Sequence, residues 1–222
     1  MRSKNYSEQT IKTYTEAIRT FLKFFAHKKT EDITNADVID FNNDYIIAND
    51  HSLSYQNQIV NALKLFYKCV MNAVIDIDKV HRPRKIKTLP NVLSKEEVKK
   101  LLESQVNLKH RTMLSLIYSC GLRCGELLSL QIKDVDAKRN LLLIRQAKGF
   151  KDRIAPLSNK TIELLRDYYK AYKPGKYLFE GQYPGTPYYV RSLQQVMKNA
   201  ITRAGITKPA TLHWLRHSYA TH

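Results

Sequence analysis

An imidazole and a guanidinium stand three residues apart in the run His213-Trp214-Leu215-Arg216-His217. On a helix that spacing turns both to one side. Together they suit an oxyanion such as a phosphodiester, whose transition state gains negative charge, and Trp214 can pack beneath them. His213 and His217 are also spaced like a zinc-binding pair, but the general-base Glu of such a helix would fall at Trp214, and Arg216 would repel the metal. A second guanidinium lies in Gly121-Leu122-Arg123-Cys124-Gly125-Glu126-Leu127, at a break between two apolar helices. Glu126 can orient Arg123 and leave the rest of its donor fork for a phosphate. Taken alone, an Arg–Glu pair that merely fixes the turn is the simpler reading. Lys148 sits at a hairpin tip beside Lys151 and Arg153. A flexible ammonium there can enter a nucleic-acid groove or protonate a leaving oxygen, although hairpin-tip lysines are also common as solvated residues.

These donors are not accompanied by the usual apparatus of metal-assisted phosphoryl transfer. The chain has no GxxxxGK[ST] loop, no Gly-rich dinucleotide turn and no clustered carboxylates for Mg²⁺. Phosphoryl transfer here would rest on Arg123, Lys148, His213 and Arg216, four cationic or proton-bearing groups and no acid. Neither a metal nor a cofactor is expected. Cys120 and Cys124, with no second matching pair, are assigned to packing.

The elements that must position these residues follow from periodicity and caps. Ile11, Tyr14, Ile18, Phe21, Leu22, Phe24 and Phe25 predict a first helix capped by Ser7, and Val38, Ile39, Phe41, Tyr45 and Ile46 a second after Thr34-Asn35. A third, opened at Ser52 or Ser54, places Ile59, Leu63, Phe66, Tyr67, Val70 and Met71 on one face. Residues 1–82 therefore read as a small helical bundle. Residues 83–90 carry two prolines and several basic residues and read as an extended linker. With Arg82 at their edge, Arg84, Lys85 and Lys87 suit a strap along phosphates, or an ordinary solvated connection.

Residues 91–222 read as a mostly helical domain with a small antiparallel sheet. Ser94-Lys95-Glu96-Glu97 is a capping box, Thr112 to Cys120 a helix stopped at Gly121, and Gly125 to Leu130 a short helix. Strands are expected over Leu130–Val135, Leu141–Arg145 and Arg153–Leu157, then helices over Asn159–Tyr172 and Val190–Ala204. A last helix, capped by Thr211, faces inward with Leu212, Leu215 and Tyr219. No closing signal follows it, and the sequence reads as cut inside a domain.

Charge narrows the partner. Through Arg82 the chain holds 11 basic and 10 acidic residues; the remainder holds 26 and 10, so nearly all of the +17 net charge lies in the second part. A polyanion, with nucleic acid favoured, is the expected ligand. No apolar run is long enough to span a membrane, the N-terminus lacks a signal peptide, and three cysteines fit a reducing cytoplasm.

GLRCGELLSL, AKGFKDRIAPL and HWLRHSYATH, in this order after a helical N-terminal region, resemble the tyrosine recombinase (phage integrase) family, in the style of the Xer-like recombinases and mobile-element integrases. The resemblance covers essentially the whole chain. It implies an N-terminal helical core-binding, SAM-like domain and an α+β catalytic domain, mainly α with a small antiparallel sheet. By motif, Arg123, Lys148, His213 and Arg216 are the implied catalytic groups, and Glu126 and His217 support them. Arg82, Arg84, Lys85, Lys87, Lys151 and Arg153 are the implied DNA contacts. The implied reaction needs no cofactor: a tyrosine attacks the scissile phosphate and forms a 3′-phosphotyrosyl bond. The family's further His or Trp and its nucleophilic Tyr lie beyond the position of His222. The expectation is therefore a catalytic domain incomplete at its C-terminus, a chain that binds double-stranded DNA without cutting it, and Tyr219 as a packing residue. The implied complete protein acts as a homo- or hetero-tetramer on paired sites in the bacterial cytoplasm, at the nucleoid. A non-catalytic DNA-binding or regulatory protein descended from a recombinase is the alternative.

Overall fold

A computed structural model describes residues 6, 8–71, 89, 91–147 and 151–222. The chain divides into two compact units, Met1–Lys87 and Thr88–His222. Arg82, Arg84, Lys85, Lys87 and Lys148 lie outside the described residues.

In the first unit, α1 (Glu8–Phe24) packs on α3 (Leu53–Phe66), with α2 (Asn35–Phe41) between them in the chain. Phe21, Phe41, Ile46, Ile59 and Leu63 are fully buried. Phe21 meets Phe41 edge to face at 5.1 Å, and Phe41 stacks on Tyr45 at 4.9 Å, arrangements favoured by the ring quadrupoles. Ser7, the expected cap of the first helix, lies outside the described residues. α2 opens at Thr34, whose N–H donates to Asp37 at 2.8 Å. Of Ser52 and Ser54 it is Ser52 that caps α3, its Oγ accepting from the Tyr55 N–H at 3.2 Å. Asp37 is also paired with Lys28. Both α2 and α3 end in π-helical turns, Asn42–Ile47 and Tyr67–Met71, which the apolar periodicity alone did not foretell.

The second unit is built on α5 (Leu108–Cys120), whose Met113, Leu114, Leu116 and Ile117 are all fully buried. Around it pack α4 (Lys95–Glu103), α7 (Asn159–Tyr172), α8 (Val190–Arg203) and α9 (Leu212–Thr221). The short α6 (Cys124–Ser129) follows the break at Gly121. The sheet is antiparallel in the order β1 (Val135–Asp136), β2 (Leu141–Ala147), β3 (Lys151–Pro156). Leu142 opposite Ala155 fixes the β2–β3 register, with an irregularity between Ile144 and Ala147.

The expected strand over Leu130–Val135 is replaced by a 3₁₀ turn, Ile132–Asp134, which leaves β1 only two residues long. The cause is Asp134, whose buried carboxylate accepts from the Gln131 N–H at 2.8 Å and pairs with Arg145 Nε at 2.7 Å. A side chain that bonds its own neighbouring backbone competes with a sheet ladder. The long central helix starts four residues earlier than expected, because Asn107 Oδ1 caps it by accepting from the His110 N–H at 3.0 Å.

Candidate phosphodiester-binding site

α5 ends at Gly121, which takes φ +56°, the left-handed conformation that closes many helices. The Cys120–Gly121 carbonyls are thereby turned out of the helix, and Arg123 is delivered to the N-cap of α6. Glu126, one turn into α6, folds back: its Oε2 accepts from the Arg123 N–H at 2.9 Å, and its Oε1 from Arg123 Nη1 at 2.6 Å. The same carboxylate takes Arg153 Nη2 from β3 at 2.8 Å and stands 3.6 Å from Arg216 Nη1 of α9. Arg216 Nη1 donates to the Gly121 carbonyl at 2.5 Å.

Three guanidiniums thus surround one buried carboxylate, and the cluster carries a net charge of two positive units. Burial pushes the Glu126 carboxyl up, but donation from the Arg123 N–H and from the Arg153 and Arg123 side chains outweighs it and holds the pKa down at about 2. Glu126 is therefore a permanent anion at neutral pH, too little to neutralise its neighbours. Arg123 keeps 41% of its side-chain surface exposed, Arg153 33% and Arg216 24%, so all three present part of the excess charge to solvent.

His213 lies one helical turn before Arg216 on α9, as the spacing required, and its ring meets that of His217 edge to face at 4.2 Å. Partial burial lowers the His213 pKa, and the nearby His217, Arg216 and Arg123 lower it further. A ring held neutral in this way is able to take a proton. We expect His213 to titrate below the ordinary histidine value in an NMR pH series, and to move upward when inorganic phosphate is added. A titration that starts above that value would show that the cations do not act on it.

Arg123 and His213 form one end of a cleft of about 1100 Å³ that continues along α8 past Arg191, Gln194, Gln195 and Lys198. Sequence reading gave α8 no role. Its polar stripe at positions 191, 194, 195 and 198 has helical spacing and was the available signal.

The structure brings together four of the residues singled out in the sequence, Arg123, Glu126, His213 and Arg216. Lys151 opens β3, opposite Ala147. Arg153 was expected on the DNA face, but its guanidinium is directed inward, onto Glu126 and the end of α5. Tyr219, expected in the core, is 42% exposed, and the inward face of α9 is Leu212, Leu215 and Ser218. Its ring instead lies against Gly121.

The phage integrase family model matches residues 91–222, more than half of the chain, and the model of the phage integrase N-terminal SAM-like domain matches residues 1–77. The chain belongs to the phage integrase family. Tyrosine recombinases are among its relatives. XerA of Pyrococcus horikoshii is 32% identical over 175 residues, 78% of this chain and 60% of the relative. The tyrosine recombinase of Thermosipho africanus is 29% identical over 234 residues, 99% of this chain and 80% of the relative. The crystal structure of the XerH site-specific recombinase, bound to difH substrate in a pre-cleavage complex, superposes with a TM-score of 0.74 at 26% identity. That match covers 95% of this chain and 67% of the XerH chain. A λ integrase dimer on a core site shares the fold, with a TM-score of 0.76 at 19% identity. The chain is thus a Xer-like tyrosine recombinase by family, mostly helical with one small antiparallel sheet. No helix of the described residues is long and apolar enough to cross a membrane.

Proposed function

We propose that this chain seats one phosphodiester of duplex DNA on Arg123, Arg216 and His213, as part of site-specific recombination. The observation that carries the reading is the unbalanced charge around Glu126. A net excess of two positive units, with Arg123 and the neighbouring His213 lining a cleft, fits a phosphate gaining charge toward its transition state.

In this reading Arg123 and Arg216 neutralise the non-bridging oxygens, and neutral His213 takes the proton of the attacking tyrosine hydroxyl. The new bond joins the tyrosine oxygen to phosphorus, and the bond from phosphorus to the 5′ oxygen breaks. Lys148 gives its proton to that leaving oxygen, and the product is a 3′-phosphotyrosyl link and a free 5′-hydroxyl. Attack by a second 5′-hydroxyl reverses the step and exchanges strands, so several protomers, a tetramer on paired sites, belong to the complete reaction. The likeness to XerH bound to its difH substrate and the +16 of residues 83–222 support duplex DNA as the ligand.

We assign none of the described tyrosines as nucleophile. Tyr219 follows Arg216 by three residues, and its ring is engaged with Gly121. These 222 residues are therefore expected to bind duplex DNA without forming a covalent adduct. Binding followed by fluorescence anisotropy across a salt series should weaken with a slope of about 0.9 per phosphate contacted, and a nicked labelled duplex should give no SDS-resistant complex. Salt-independent binding would remove the anion-site reading, and a resistant complex would show that a tyrosine within the chain is the nucleophile.

A further inference from the structure

The pleat of β3 alternates cleanly: Ala155 and Leu157 are buried, while Ile154 is 62% exposed. Arg153 shares the inward face with Ala155, and its guanidinium finds three acceptors there. Nη1 donates to the Cys120 carbonyl at 3.4 Å, and Nη2 to the Gly121 carbonyl at 3.2 Å and to Glu126 Oε2 at 2.8 Å. Its Nε is buried with no hydrogen-bond partner, so the inner end of the fork also lies within the protein. Two of those acceptors are the groups that face Arg216, which donates to the same Gly121 carbonyl and stands beside the same carboxylate.

We infer that Arg153 is a positioning residue of the anion site, holding Glu126 and the end of α5 where Arg123 and Arg216 need them, and not a contact to the DNA backbone. The inference rests on the anion-site reading above and adds to it the residue that fixes the site's geometry. A planar fork suits the task, because it reaches two carbonyls and a carboxylate at once. A lysine has one ammonium on a flexible stem and cannot span all three. The third cation also raises the charge of the cluster, and although 33% of its side-chain surface is exposed, both of its Nη groups are taken up by these three acceptors.

The test compares wild-type protein with R153Q and R153K. Inorganic phosphate is titrated in while the His213 ring is followed by NMR, and binding of a short duplex is measured across a salt series. Loss of one charge-assisted clasp should weaken phosphate binding by about tenfold in R153Q. R153K should be weakened in the same direction, and the duplex salt slope should stay at its wild-type value in both. The Glu126 side-chain carboxyl carbon, followed by ¹³C NMR, should titrate above its native value of about 2 in R153Q. Amide shifts away from the cluster should meanwhile stay at their wild-type values, which general loosening of the fold would not allow. Should R153Q fail to fold in a thermal melt, R153K carries the same comparisons. A fall in salt slope of about 0.9 in either folded variant would make Arg153 a phosphate contact and overturn the inference, and unchanged phosphate binding would overturn it too. Wild-type protein that bound neither phosphate nor duplex would instead remove the anion-site reading, and with it this inference.

Discussion

Glu126→Ala should destabilise the second unit by about 3–5 kcal/mol, because it leaves three guanidiniums facing one another with no anion between them. Net stabilities of folded domains are about 5–15 kcal/mol, so such a loss removes a large part of the unit's stability. Urea titration of the two proteins at neutral pH measures it, and a loss below about 1 kcal/mol, the range of a surface pair, would show that the cluster does not depend on its carboxylate. Acid reaches the same state in the native protein. The folded pKa of about 2 lies below the ordinary 4.5, so the carboxylate's stabilisation is fully present above pH 4.5 and is lost as the pH falls through about 2. From that difference, its size is about 3 kcal/mol. Glu126→Gln should remove this part of the acid dependence, leaving a flatter stability curve below pH 4.5.

Gly121→Ala should be nearly as damaging, for two separable reasons. At φ +56° an L side chain meets its own carbonyl, which costs about 1–2 kcal/mol. The added Cβ would also stand 2.6 Å from Cδ1 and 2.9 Å from Cε1 of the Tyr219 ring, closer than any real contact, and relieving such overlap costs about 1–3 kcal/mol. Tyr219 is half exposed and can swing outward, so the steric part should largely vanish in a Gly121→Ala, Tyr219→Ala double variant while the backbone part remains. Denaturant melts of the four proteins in this cycle separate the two terms. If the single and double variants lost equal stability, relative to their own Gly121 parents, the ring would not be the obstacle. Phosphate binding should fall with stability here, because the displaced Gly121 carbonyl is the acceptor shared by Arg153 and Arg216.

The same residues show what could be read beforehand. His213 and Arg216 were legible as partners because a helix fixes the relation between positions three apart, and α9 is a helix from Leu212 to Thr221. The Ser94 and Ser52 caps were legible for the same reason: the donor lies within three residues of the acceptor. Gly121 could be read as a helix stop, though not as the floor on which Tyr219 rests. The pleat of β3, with Ala155 buried and Ile154 exposed, turns Arg153 toward Glu126, a long-range pairing that its neighbours in sequence do not announce. The false strand before Asp136 failed on a single capping carboxylate, Asp134. Contacts between distant parts of the chain leave no local mark. The convergence of Arg123, Arg153 and Arg216 on Glu126 is of that kind, and so is the clasp by which buried Ser218 Oγ accepts from the Leu93 N–H at 2.9 Å.

That clasp joins residues 125 positions apart, and it bears on the order in which the unit is assembled. Arg123, Glu126 and Arg153 come from neighbouring stretches of chain and can meet while later residues are still being synthesised. Arg216 and His213 arrive on α9, whose docking against α5 also supplies the acceptor for the Leu93 amide. A nascent chain therefore carries the carboxylate and two of its cations well before the third, and closing so long a loop is an intrinsically slow step. The positive surface becomes a finished phosphate seat only when α9 arrives, and the same event ties down Leu93 near the start of the unit.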